Sequence, residues 1–192
     1  PIMLDAGPMG NQRNMQLFNW YFAPLAMPLG TGHPITNNLD PIHFDCVSSL
    51  DVVDTQDEVK STVLLTSSER AKTYRVPVRV TSNIVDLDPA YFNEGNAPRA
   101  GFAALVEGAF RSHFSSSLPE RLAADEDFAF RAKSAPTAMV VIADGDVARN
   151  KFRADGQILP LGYDRYARRV VYDNKEFLLN TIDYLLQENA LI

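Results

Sequence analysis

Two aspartates flank a glycine at Asp144-Gly145-Asp146, directly after the apolar run Ala138-Met139-Val140-Val141-Ile142-Ala143. Open α/β sheets place ligands at the carboxyl ends of their strands, so this pair is the strongest candidate for holding a divalent cation or for acid–base work. The same residues also describe a tight turn in which an aspartate caps Val147-Ala148-Arg149-Asn150, and that plainer role needs no ligand. Ser67 and Glu107 follow apolar runs of their own, and with those strands parallel they would gather near Asp144. A serine becomes a nucleophile only beside a base, and no Gly-x-Ser-x-Gly elbow surrounds Ser67 or Ser68. The weak ligand-binding set is therefore Ser67, Glu107, Asp144 and Asp146, with Tyr163 as aromatic support for a small molecule or carbohydrate, and no catalytic residue is expected.

The remaining reactive side chains point the same way. His33, His43 and His113 show neither helical i, i+4 spacing nor a nearby cysteine ligand, so no metal site is expected. Cys46 stands in a strand-like pattern between Asp45 and Val47, where a thiol is usually a small core side chain and lacks the positive neighbours that make a reactive thiolate. Neither a Gly-x-Gly-x-x-Gly nor a Walker-type loop is present, so the chain is no nucleotide-binding subunit and no cofactor is expected.

The elements that must position these residues are mostly strands. Phe44, Cys46 and Leu50 alternate within residues 42–53, Thr62 to Thr66 is a second strand, and Tyr74, Val76, Val78 and Val80 alternate in a third that tolerates Pro77 only near an edge. Phe102 to Val106 reads as a buried strand, and 138–143, continuous and apolar between Pro136 and Asp144, as the clearest and most central one. Residues 112–137 form an excursion. One helix is secure: Asn174 or Asp173 caps it, and Phe177, Leu178, Ile182, Leu185 and Leu186 make a stripe at helical spacing. The expected class is α/β, a β-rich open mixed sheet with few flanking helices, with α+β as the alternative. Residues 1–192 form one domain or a fragment of one: a Pro/Gly-rich arm over 1–42, with the run Leu17 to Phe22 laid on the core, then the sheet and C-terminal helix over 43–192.

Composition bounds the function classes. With 46% hydrophobic and 22% charged residues in 192, the chain should build a core without metals or disulfides. A net charge of −6 argues against nucleic acid, which needs clustered Lys and Arg, and leaves Arg165, Arg168 and Arg169 as a solvated face. No run approaches the roughly 20 apolar residues that span a bilayer. The start at Pro1 suggests a fragment.

Several pieces, spread in order along the chain, resemble a known family. They are Gly32-His33-Pro34-Ile35 to Asn38-Leu39-Asp40-Pro41, Val63-Leu64-Leu65-Thr66-Ser67-Ser68, Ala143-Asp144-Gly145-Asp146 to Arg149-Asn150, Leu159-Pro160-Leu161-Gly162-Tyr163-Asp164, and Asn174 to Leu185. Together they resemble the GldG-like auxiliary components of gliding-motility ABC-type transport systems, whose domain is shared with intraflagellar transport proteins. The resemblance implies part of a fold related to class I glutamine amidotransferases, without enzymatic activity. It also implies a periplasmic location, outside the cytoplasmic membrane, tethered by helices that this chain lacks. Other transporter or motility subunits would be its partners, with a homodimer possible. Since a doubly wound sheet alternates strands with helices, the early strand-helix units are expected before Pro1, leaving an apolar face for contacts.

Overall fold

The computed structural model describes residues 1–9, 12–29, 32–53, 58–123 and 128–190. The chain begins with an antiparallel hairpin, β1 (Ile2–Met9) and β2 (Gln12–Phe18), followed by β3 (Leu25–Pro28) and β4 (Ile42–His43). The long strands β5 (Val59–Thr66), β6 (Gly101–Gly108) and β7 (Thr137–Ile142) complete a sheet in the order β4-β3-β5-β6-β7. The one-turn α1 (Glu120–Ala123) lies between β6 and β7. A two-residue ribbon, β8 (Tyr163–Asp164) with β9 (Arg169–Val170), precedes α2 (Asn174–Ala190). The molecule is mostly β-sheet with few helices, consistent with α/β or α+β.

Every pairing among the described strands is antiparallel, which corrects the expected mixed sheet. The connections explain it. A parallel neighbour needs a crossover of a dozen or more residues, normally a helix, to carry the chain back along the sheet. Residues 67–100 supply only short 3-10 turns, Ser82–Asp86 and Pro89–Phe92, and the described residues of the β6–β7 connection only one turn each of 3-10 and α-helix. The long apolar strands therefore return beside their predecessors.

Three strand expectations change with the architecture. Residues 74–80 form no strand: Tyr74, Val76, Val78 and Val80 are all exposed, Val76 at 86%, so period-two spacing there lacks a neighbour to pair with. In 42–53 only Ile42 and His43 are a strand, with Leu50 adding an isolated bridge to Gly101. Cys46 sits in a turn with φ of 54° and is exposed, not a core side chain. β7 is an edge strand whose residues alternate between exposed and half-buried, while the central position belongs to β5, and in β6, between the two, Gly101 to Leu105 are buried in succession.

The core lies between the sheet and α2. Phe44, Leu64, Leu65, Phe102, Ala103 and Leu105 meet Phe177 there, and Ala138, Val140 and Ile142 of β7 border the cluster. The expected α2 stripe holds only in part: Phe177 is fully buried and Leu178 packs against the core, but Ile182 and Leu186 are exposed at 51% and 62%, and Thr181 and Tyr184 face the sheet in their place. Residues of the Pro/Gly-rich segment also enter: Ala26 of β3 and Ile35, at the 3-10 turn Pro34–Thr36, are fully buried.

Candidate functional site

Strand direction decides which polar residues meet. β5 and β7 run the same way on either side of the antiparallel β6, so Ser67 and Asp144 leave the sheet at one end and Glu107 leaves it at the other. The three do not gather.

Each is instead engaged in fixing backbone or packing. The Ser67 N–H donates to the Ala100 carbonyl at 2.9 Å, and its hydroxyl accepts from the Ala100 N–H at 2.9 Å while donating to the Ser68 carbonyl at 3.1 Å. That buried hydroxyl closes the long loop between β5 and β6. Asp144 caps the 3-10 turn Gly145–Ala148: Oδ1 accepts from the Asp146 N–H at 2.8 Å and Oδ2 from the Asp45 N–H at 3.1 Å, and the turn seats Val147 in the core. Asp146 is exposed and faces Arg149 at 3.3 Å. At the far end, Glu107 Oε1 accepts from the Tyr184 hydroxyl at 2.8 Å, tying α2 to β6. No cluster of three His, Cys, Asp or Glu side chains suited to a metal ion occurs among the described residues.

Tyr163 lines a cleft of about 290 Å³ near the Asp144 end, together with Trp20, His43, Asp45, Lys151 and Tyr172. Sequence reading passed over most of these, because they come from five separated segments. His43 is the one whose ionisation is most shaped by its place. Burial, aided by Lys151, outweighs the attraction of Asp45 and holds the imidazole below its ordinary value, so it is neutral at pH 7. Its ring packs on Tyr172 at 5.1 Å, and its backbone is clamped by Asn174, which accepts from the His43 N–H at 3.0 Å and donates to the His43 carbonyl at 2.8 Å. The two residues expected to cap α2 thus spend their side chains elsewhere, Asn174 on the His43 backbone and Asp173 on the Asp40 N–H at 2.7 Å, and Asn174 thereby orients the cleft. Lys151 is paired with Asp45 at 2.6 Å.

The floor of the cleft is an aspartate-centred turn. Burial alone would raise the Asp164 carboxyl, but N–H donation from Ala167 and Tyr166 and the Tyr172 hydroxyl outweigh it and hold the group below the carboxylate norm. Gly162 makes the turn possible: its φ is 76°, and a Cβ there would lie 1.9 Å from the Tyr172 carbonyl oxygen. Beside the cleft, burial and the carboxylates of Asp45, Asp144 and Asp146 push the Cys46 thiol up, so it stays protonated and unreactive at neutral pH. The arrangement offers aromatic faces, one neutral imidazole and paired charges, which suits holding a group rather than attacking one.

Over residues 1–181 the chain matches the family described as ABC-type uncharacterized transport system, whose members are auxiliary components of that machinery. The chain belongs to this family. No curated protein and no solved structure matches it. Among the described residues no helix is long and apolar enough to cross a membrane. Membership makes other subunits of the transport system the partners of this auxiliary component and associates it with a membrane.

Proposed function

We propose that the chain is a non-catalytic interaction domain of an ABC-type transport auxiliary component, working on the extracytoplasmic face and contacting other subunits of the transporter. A link to gliding motility belongs to the same reading and rests on the family resemblance. The observation that carries it is the engagement of the strand-end polar groups: the Ser67 hydroxyl and both Asp144 oxygens already hold backbone, and Glu107 lies at the opposite end. A nucleophile, a base and an oxyanion pocket would have to converge for hydrolysis. Purified protein should leave glutamine, ester and phosphate-ester substrates at the buffer rate. Asp144→Ala should lower stability by about 1–2 kcal/mol through the lost cap and change no turnover. Turnover abolished by that substitution would overturn the proposal, as would failure to co-purify with the transporter's ATP-binding and membrane-spanning subunits after co-expression.

The Tyr163 cleft favours a second reading, a small-molecule or carbohydrate-binding module in which aromatic rings hold the ligand. Ligand at 100 times its dissociation constant would stabilise the fold by about 2.7 kcal/mol. A thermal-shift screen of sugars, peptides and divalent ions that moves nothing would remove it.

A further inference from the structure

The two edges of the five-stranded sheet are treated differently. At the β4 edge, His43 turns its N–H and carbonyl outward, and Asn174 of α2 satisfies both, so that edge is closed to pairing. At the β7 edge no strand lies beyond Thr137–Ile142 among the described residues. Proteins normally blunt such an edge with a charge, a proline or a bulge. β7 carries none of these within its length, pairs with β6 residue for residue from Thr137 to Ile142 without a register shift, and exposes Met139 at 42% and Val141 at 45%.

The outward hydrogen-bonding groups can be placed. The Ala143 N–H donates to the Phe102 carbonyl of β6 at 2.9 Å, and in an antiparallel ladder successive residues alternate sides. Ala138, Val140 and Ile142 therefore present their N–H and carbonyl groups away from β6. That set is symmetric about Val140. An antiparallel copy of the same strand, centred there, sets Ala138 against Ile142 and Val140 against its own counterpart, with Met139 opposite Val141 on the open face. Pro136, which lacks an N–H, ends the ladder on one side, and the turn capped by Asp144 ends it on the other.

Charge supports the same partner. Arg131 and Lys133 precede the strand, and Asp144 and Asp146 follow it; within one copy Lys133 is paired with Glu58 and Asp146 with Arg149, exposed pairs that a second copy's charges would exchange with. Antiparallel self-pairing lays the basic flank of one copy along the acidic flank of the other, twice, which a two-fold interface requires. The open face continues the surface: Val141 borders an apolar hollow of about 280 Å³ with Val59, Ala104, Val106 and Phe110.

We infer that β7 is a docking strand for a second copy of this chain, joining two sheets into one across an antiparallel β7–β7 seam. The inference is independent of which transporter subunit the domain contacts; a strictly monomeric chain would overturn it and leave the interaction reading standing. Sedimentation velocity of the full chain over a range of concentrations should show a monomer–dimer equilibrium. Met139→Lys with Val141→Lys alters two exposed side chains on the strand and should give monomer with an unchanged circular dichroism spectrum. Lys133→Glu should weaken the dimer about 5-fold, and adding Asp146→Lys should restore it, because the reversed charges again meet their opposites. A dimer untouched by the double lysine variant, or no rescue by the charge swap, would place the seam elsewhere; dimer formation only with a different protein's strand would replace the second copy as occupant.

Discussion

Asp144 illustrates how one carboxylate can look like chemistry and serve architecture. An aspartate after a strand is also the best available cap for the next turn, and here both of its oxygens accept backbone N–H groups. His43 shows the converse, a residue with no motif around it whose environment gives it a measurable signature. Because burial lowers its pKa, the unfolded chain binds a proton that the folded cleft resists. Stability is complete above the ordinary value of 6.5 and falls as pH drops from there through the lowered folded value. Urea titrations at a series of pH values should show this slope in the natural chain and a flatter one in His43→Gln. Equal slopes would mean that the ring titrates alike in both states.

Among the elements, α2 follows its spacing in part: Phe177 and Leu178 face inward as expected, while Ile182 and Leu186 turn outward. Its buried face delivers Phe177 to the core, its first residue clamps β4, and Tyr184 reaches Glu107 on β6, so one helix spans the sheet. Phe177→Ala should cost about 3–5 kcal/mol, read as a shifted urea midpoint, because the fully buried ring has no solvent into which its cavity can open. A loss below about 1 kcal/mol would show that the helix is replaceable there. β7 followed a different course. Its uninterrupted apolar sequence reads as a strand buried on both faces, yet it lies at the margin of the sheet with one face open, because a run of Met, Val and Ile does not record whether the neighbour that covers it is in the same chain.

Across the whole molecule, stability is unevenly spread. β5 and β6 hold the longest buried runs, Leu64 to Thr66 and Gly101 to Leu105, while no described residue of the β1–β2 hairpin whose exposure is defined is buried. The hairpin touches the cleft loop through the Met3 N–H, which donates to the Tyr166 hydroxyl at 3.1 Å. Native-state hydrogen exchange should therefore protect β6 amides to nearly the global unfolding limit and release those of the hairpin much sooner. Equal protection would mean that the hairpin unfolds only with the sheet.

From sequence alone came the strands read at 62–66, 102–106 and 138–143, the α2 helix, the choice between α/β and α+β, and the cap-and-turn role of Asp144, since each depends on residues close together in the chain. Direction, order and convergence were decided by tertiary structure. Period-two spacing is identical for parallel and antiparallel strands, so only the pairing shows that Glu107 ends up opposite to Ser67 and Asp144. The cleft around Tyr163 and His43 draws on segments as far apart as Trp20 and Tyr172, with no local pattern to mark it. The vacant β7 edge is likewise a property of what lies beside a strand, which no stretch of its own residues encodes.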